Sequence, residues 1–299
     1  MSSGPFGWLQ DRIAQRLARW AQRHYRLPYP PLHYYMPIAN LNTIRARGLD
    51  KVRFADTSRE IDMALVEATA EATAMTAGEQ SALPSYFDPD VRNLGLGFGE
   101  VEGHFAYAMV RNFKPAVVLE VGAGVSTYYL KAALDRNGGG RLVAIEPYPL
   151  GPLVAKCRRE SIDLRKTSAA DLTVSEVNAL AAEGPLMVSI DSTHVLRLDG
   201  ELPNLLLNIL PALPSGTVVH LHDVTWPFGM IFTGHEMAPS AAVWNESLAV
   251  ALLLKGSTDF EILMPMYMLV HDRPELLEQA CPLYARTRQV ATSFWIRRR

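Results

Sequence analysis

The chain has 299 residues, 48% of them hydrophobic and 20% charged, a profile that supports a globular protein with a sizeable core. Twenty-nine Lys and Arg against 31 Asp and Glu leave a formal charge of -2, which argues against a broad phosphate-gripping surface and hence against a nucleic-acid substrate. The two cysteines, Cys157 and Cys281, lack CxxC spacing, so no disulfide framework is expected and a reducing cytoplasm is the expected location.

The first twenty residues contain no apolar run of the roughly 7 to 15 residues that a secretory signal needs. No stretch approaches the roughly 20 apolar residues that span a bilayer, so no transmembrane segment is expected. Residues 6–26 place Trp8, Leu9, Ile13, Leu17 and Trp20 at helical spacing, with Arg12, Arg16, Arg19 and Arg23 between them. This basic amphipathic helix is expected to pack on its own domain, with peripheral contact to an anionic membrane or a partner as the alternative. In LPYPPLHYYMPIAN the prolines Pro28, Pro30, Pro31 and Pro37 predict an ordered connector. His33, Tyr34 and Tyr35 within it are expected to pack, or else to form a lid. Helices are predicted at 58–77 and 97–113. Residues 1–95 thus form a helical and Pro-rich extension, and residues 96–299 the main domain.

From residue 116 short β-branched runs alternate with helical ones. Strands are predicted at 116–121, 141–145, 162–166, 186–190 and 217–221, with helices at 125–136, 152–161, 174–183 and 202–213 between or after them. Such alternation predicts an α/β doubly wound sheet with its ligand at the carboxyl ends of the strands. The end of the chain departs from it: 259–270 and 291–299 read as strands around a short helix at PELLEQA, an antiparallel pair closing the sheet.

In VVLEVGAGVSTYYL a strand runs into Gly122-Ala123-Gly124 and then into a helix, so the backbone turns tightly and can approach a ligand, with Ser126 and Thr127 near the exposed amides. Taken alone, the motif fits a turn without ligand as well as a ligand-binding one. A dinucleotide-binding turn would want a third glycine at position 127, where this chain has Thr127, so the pyrophosphate reading weakens. S-adenosylmethionine carries no phosphate and suits glycines flanked by acids: Glu120 before the turn, and Glu146 at the next strand end as acceptor for the ribose hydroxyls.

Two further strand ends carry Asp191-Ser192-Thr193-His194 and His220-Leu221-His222-Asp223. Parallel strands would bring Asp191, His194, His222 and Asp223 together beside the cofactor as the catalytic candidates, while His220, one step deeper, reads as a hydrogen-bonded core histidine. Glu100, Glu102 and His104 open a helix, where acids favour the dipole regardless of function. Trp244, Asn245 and Glu246 follow a loop able to close over an acceptor. HLHD shares its opening with the HxHxDH zinc signature of metallo-β-lactamase-like hydrolases, but Asp223 directly follows the second histidine and no histidine follows it, so a metal-dependent hydrolase is the weakest reading.

The ordered set EVGAGVST, AIEPYP, SIDSTH, HLHDVTWPF, WNESLAVALLL and SFWIRR resembles the bacterial class I methyltransferases of the Methyltransf_24 group, over roughly residues 28–299. The resemblance implies a Rossmann-like sheet of seven strands in order 3-2-1-4-5-7-6, with SFWIRR as the inserted antiparallel strand. It implies S-adenosylmethionine held by Glu120, Gly122, Ala123, Gly124, Ser126, Thr127, Glu146 and Asp191. Sugar and macrolide O-methyltransferases of this kind hold magnesium with acids at these strand ends, which would place magnesium or another divalent metal on Asp191, His222 and Asp223, although His222 stands where an acid is expected. The implied activity is O-methylation of a small polar acceptor, such as a sugar or glycan precursor, by base or metal assistance. A binding or regulatory module without turnover is the rival, and a homo-oligomer is compatible with either.

Overall fold

The computed structural model describes residues 41–49, 52–54, 61–95, 97–229 and 244–299, together with Arg12, Ile13, Arg16, Leu17, Arg19, Trp20, Arg23 and His24. Those eight residues are helical, and Ile13, Leu17 and Trp20 are exposed. Trp8, Leu9, His33, Tyr34 and Tyr35 lie outside the described residues.

Seven strands form one sheet in the order β3-β2-β1-β4-β5-β7-β6. They are β1 (Val117–Val121), β2 (Arg141–Ile145), β3 (Asp163–Arg165), β4 (Leu186–Ile190), β5 (Val218–Leu221), β6 (Phe260–Pro265) and β7 (Phe294–Arg298). The first five pair in parallel, and β7 inserts antiparallel between β5 and β6. All five residues of β1 and of β4 are buried, as expected of central strands covered by helices on both faces. Register aligns Val121 with Ile145 and Ile190, and Ile190 in turn with Leu221. Residues 122, 146, 191 and 222 therefore leave the sheet side by side, at the edge where a doubly wound fold builds its site.

The end of the sheet differs from the predicted run at 259–270. Strand β6 stops at Pro265, and Met266–Asp272 is a helix. Pairing explains the stop: Pro265 faces Phe294, the first residue of β7, so beyond it no strand partner exists. An apolar run such as MYMLV carries no period that separates a buried strand from a buried helix. The predicted helix at 202–213 forms over 202–212 with a π-helical stretch at Leu205–Ile209 inside it.

Before the sheet, the Met63–Ala74 helix packs on β6 and on the Pro274–Ala280 helix, and Gln80 Nε2 donates to the Ala280 carbonyl. Phe54 N–H donates to the Pro227 carbonyl, tying the 52–54 segment to the loop after β5. The Glu100–Phe113 helix runs beside the Val125–Arg136 helix, and every residue from Val101 to Val110 is buried. Among the described residues no helix is long and apolar enough to cross a membrane.

Candidate active site

The turn after β1 sets the site. Gly122 has φ +82, and a Cβ there would lie 1.6 Å from the Asp191 carbonyl oxygen. Only glycine combines that left-handed backbone with that closeness. Gly124 in turn abuts Gly95, where an added Cβ would come 3.1 Å from the Gly124 Cα. The turn is thus pressed between the 94–99 loop and the end of β4.

Glu120, Ser126 and Thr127 lie beneath this turn. Ser126 donates its hydroxyl to Glu120 Oε1 at 2.6 Å and Thr127 to Oε2 at 2.8 Å, all three side chains being buried. Burial pushes the Glu120 carboxyl up to about 8 despite the two hydroxyls. Thr127 Oγ1 also accepts from the Gly124 amide, which fixes the turn on the first helical residues. These three side chains shape the loop; Gly122, not they, lines the adjoining cavity.

That cavity holds 260 Å³ and is lined by Val121, Gly122, Ile145, Glu146, Pro147, Tyr148, Ser168, Ala169, Asp191, Ser192, Thr193 and Glu201. Glu146 is half-buried at the end of β2, and its carboxylate accepts from the Tyr148 amide at 2.8 Å. Glu201 accepts from the Thr193 amide and hydroxyl at 3.0 and 2.8 Å, holding the loop after β4. Ala123 sits half-buried in the turn, packed against the core.

Beyond Asp191 the ends of β4 and β5 bring Asp191, His194, His222 and Asp223 together. His194 Nε2 lies 3.3 Å from Asp191 Oδ1 and 3.7 Å from Asp223 Oδ2. His222 Nδ1 lies 3.3 Å from the same Asp191 oxygen and 3.6 Å from the same Asp223 oxygen. The remaining nitrogen of each ring meets a buried glutamate at 2.8 Å, His194 Nδ1 on Glu246 and His222 Nε2 on Glu102. His194 and Asp223 both take left-handed backbones, φ +59 and +55, a cost of order 1 kcal/mol or more that the surroundings must sustain. Trp244 packs on the His194 ring at 4.6 Å, and the Asn245 amide donates to the His194 carbonyl. Phe98 stacks on His222 at 4.7 Å.

Charge follows from these contacts. Burial opposes the charged form of each imidazole, yet Asp191 and Glu246 raise His194 to about 10, and Glu102 and Asp191 raise His222 well above its ordinary value. Burial would raise Glu102, but His222 holds it down to about 2. Asp223 is raised by burial, against the pull of His222. The Thr292 hydroxyl lies 2.7 Å from Asp223 Oδ1 and 3.0 Å from Glu102 Oε1, and its single proton serves one of them at a time. The donor set fits a divalent cation: His222 Nδ1 is buried without a well-formed hydrogen bond, and Asp191, His194 and His222 each offer a ligand atom within 4.8 Å of the others.

His220 stands apart. Its nitrogens meet the Ser189 and Ser293 hydroxyls at 2.9 Å each, it stacks on Trp295, and burial pushes it down to about 3, so it is a neutral core histidine. Glu100 accepts from the Tyr86 amide, and His104 is buried with neither ring nitrogen bonded. Sequence reasoning gave Glu102 and Glu246 no defined role and missed Glu201 and Thr292. For Glu102 a signal existed: EVEGHFAYAMV is apolar almost all round, and an acid inside a fully buried helix requires a partner.

Residues 119–224 match the model of a family described as a methyltransferase domain, Methyltransf_24. Among curated proteins no significant match exists. Solved structures that resemble the chain include the O-methyltransferase TomG from Streptomyces achromogenes, at 15% identity and TM-score 0.43, covering 85% of this chain and 94% of that one. An O-methyltransferase from Bacillus cereus resembles it at 16% identity and TM-score 0.37, covering 65% and 82%. The plantazolicin methyltransferase BpumL does so at 14% identity and TM-score 0.38, covering 78% and 96%. The sheet order 3-2-1-4-5-7-6 is observed directly in the chain itself, and its segment from Leu119 to Val224 matches the methyltransferase-domain family Methyltransf_24.

Proposed function

We propose that the protein transfers the methyl group of S-adenosylmethionine to a hydroxyl on a small polar, sugar-like acceptor. The observation that carries the cofactor reading is the cavity between Gly122 and Glu146, where bare backbone meets a strand-end carboxylate. Such a pair suits a ligand with ribose hydroxyls and no phosphate. Asp191 borders both this cavity and the four-residue cluster, so a sulfonium beside Asp191 would present its methyl toward His194, His222 and Asp223.

In the transfer the acceptor oxygen bonds to the methyl carbon, the carbon–sulfur bond breaks, and its electron pair stays on sulfur as a neutral thioether. The acceptor proton must leave. Both imidazoles are held in the protonated form by their carboxylates, which makes them charge stabilisers for the developing oxyanion rather than bases. Asp223, raised by burial, is the better-matched proton acceptor of the two aspartates. With both imidazoles neutral, Asp191, His222 and Asp223 could instead hold a divalent cation, which would lower the acceptor hydroxyl pKa.

Calorimetry with S-adenosylhomocysteine tests the cofactor half. Binding of NADH with none of either adenosyl ligand would overturn it. For the acceptor half, labelled S-adenosylmethionine is offered with a panel of sugars and glycosides. Alanine at His194, His222 or Asp223 is expected to lower turnover by about 10² to 10⁴ while S-adenosylhomocysteine still binds, and alanine at Asp191, which also lines the cofactor cavity, to lower both. Full turnover in all four variants would assign the cluster a structural role.

A further inference from the structure

We infer that the cluster at the ends of β4 and β5 is a binding site for a borderline first-row transition ion, held by His194, His222, Asp191 and Asp223, and not for magnesium. The inference builds on the reading of this cluster as the acceptor side, and it makes His194 a ligand.

Three features converge. Asp191 Oδ1 and Asp223 Oδ2 each face the same two ring nitrogens, so the four atoms form a closed ring of contacts at 3.3, 3.7, 3.6 and 3.3 Å. Bonds of about 2.0 to 2.2 Å to a shared ion would set neighbouring ligands about 3.0 to 3.5 Å apart, which the ring meets with contraction of a few tenths of an ångström. Second, both far nitrogens are taken by buried carboxylates, Glu246 for His194 and Glu102 for His222. A metal-bound histidine almost always gives its other N–H to a carboxylate, carbonyl or water, which fixes the tautomer and aims the ring. Third, His222 Nδ1 is fully buried without a well-formed hydrogen bond, Asp191 Oδ1 at 3.3 Å being its nearest carboxylate oxygen. A buried polar atom left so is rare and calls for an occupant.

The donor types choose the ion. Magnesium wants oxygen ligands and keeps several waters, whereas imidazole with carboxylate suits Mn²⁺, Fe²⁺, Co²⁺ or Zn²⁺. Two nitrogens, two oxygens and the charge of two aspartates make a neutral site for a divalent ion. Glu102 and Glu246 are positioning residues: they touch the ligands, not the ion.

The full chain, stripped with a chelator and dialysed, is titrated with Co²⁺ and read by its visible absorption, and the untreated protein is assayed for metal content. One Co²⁺ per chain is expected, with the strong d–d bands of a four- or five-coordinate nitrogen-containing site and no displacement by millimolar Mg²⁺. His194→Ala and His222→Ala should remove the bands. Glu102→Gln, which keeps the side-chain shape, should weaken Co²⁺ about 10- to 100-fold with an unchanged melting curve; Asp223→Asn serves as a second variant if His222→Ala fails to fold. Absence of Co²⁺ bands with normal S-adenosylhomocysteine binding overturns the metal site and leaves an imidazolium–carboxylate network in a methyltransferase. Displacement by equimolar Mg²⁺ overturns the choice of ion. Retained bands in His194→Ala remove His194 from the ligand set. Co²⁺ binding without any S-adenosylhomocysteine binding would keep the metal site and defeat the cofactor reading instead.

Discussion

Gly122→Ala is the sharpest perturbation of the site that leaves its chemistry untouched. The added Cβ would meet the Asp191 carbonyl oxygen at 1.6 Å, where ordinary contact begins at 3.4 Å, so the turn or the end of β4 must retreat by about 1.8 Å. The obstacle is backbone on both sides and β1 and β4 are hydrogen-bonded neighbours, so no side-chain rotation relieves it. The left-handed φ adds about 1 to 2 kcal/mol for a residue with a Cβ, and overpacking a rigid contact adds about 1 to 3 kcal/mol. A combined loss of roughly 2 to 5 kcal/mol corresponds to a fall of roughly 3 to 8 °C in Tm for a chain of 299 residues. Gly138→Ala is the control: φ is +93 there too, but nothing lies within 4 Å of the new Cβ, so only the conformational cost applies. Calorimetry with S-adenosylhomocysteine should find binding lost in Gly122→Ala and kept in Gly138→Ala. Wild-type affinity in Gly122→Ala, or equal melting losses in the two variants, would show that the Gly122 to Asp191 contact does not shape the cavity.

Glu146→Ala should weaken S-adenosylhomocysteine by about 1 to 3 kcal/mol, the range for hydrogen bonds involving a charged group, with an unchanged melting curve; an unaltered Kd would remove Glu146 from the cavity's chemistry. Glu120, raised by burial to about 8, is neutral in the fold at low pH, so its contribution to stability is present below about 4.5 and lost as pH rises through 8. Glu120→Gln should flatten that decline, by at most a few kcal/mol at about 1.4 kcal/mol per unit of pKa, and parallel urea midpoints for both proteins across this window would refute it. His220→Ala removes the partner of the Ser189 hydroxyl, leaves Ser293 only its long bond to Glu102, and opens a void against Trp295, so a loss of about 2 to 4 kcal/mol is expected. Its S-adenosylhomocysteine affinity should hold, and a selective loss of binding would place His220 in the site.

Much of this was legible because the strands announce themselves by period and length. The β2 and β4 boundaries fall where RLVAI and LMVSI begin and end, and the helix after the glycine turn spans 125–136 as its pattern predicts. Adjacent parallel strands then place Asp191, His222 and Asp223 together without any further information. Three features escaped for physical reasons. The helix at 266–272 hid in an apolar run without period. Ser126 and Thr127 look like groups reaching for a ligand, but a carboxylate buried one turn away claims both hydroxyls. Glu201 belongs to no strand end, and only the folded path of the 192–201 loop brings it to Thr193.

The two glutamate clamps show where sequence reading meets its limit. Glu102 reaches His222 across 120 positions of chain, and Glu246 reaches His194 across 52. Each clamp arises from a flanking helix, 100–113 or 246–256, while the histidines follow the central strands. The aim of both imidazoles is therefore set by how these helices dock on the sheet. The left-handed backbone at His194 gains support from the same source, since the Asn245 and Glu246 amides donate to its carbonyl and Asn245 Oδ1 accepts from the Leu196 amide. Phe98, at the entry to the other helix, presses on the face of His222. A docking shift of the 246–256 helix would tilt the His194 ring while leaving Gly122 and Glu146 in place, whereas a shift of the 100–113 helix would disturb His222 and, through the 94–99 loop against Gly124, the glycine turn as well.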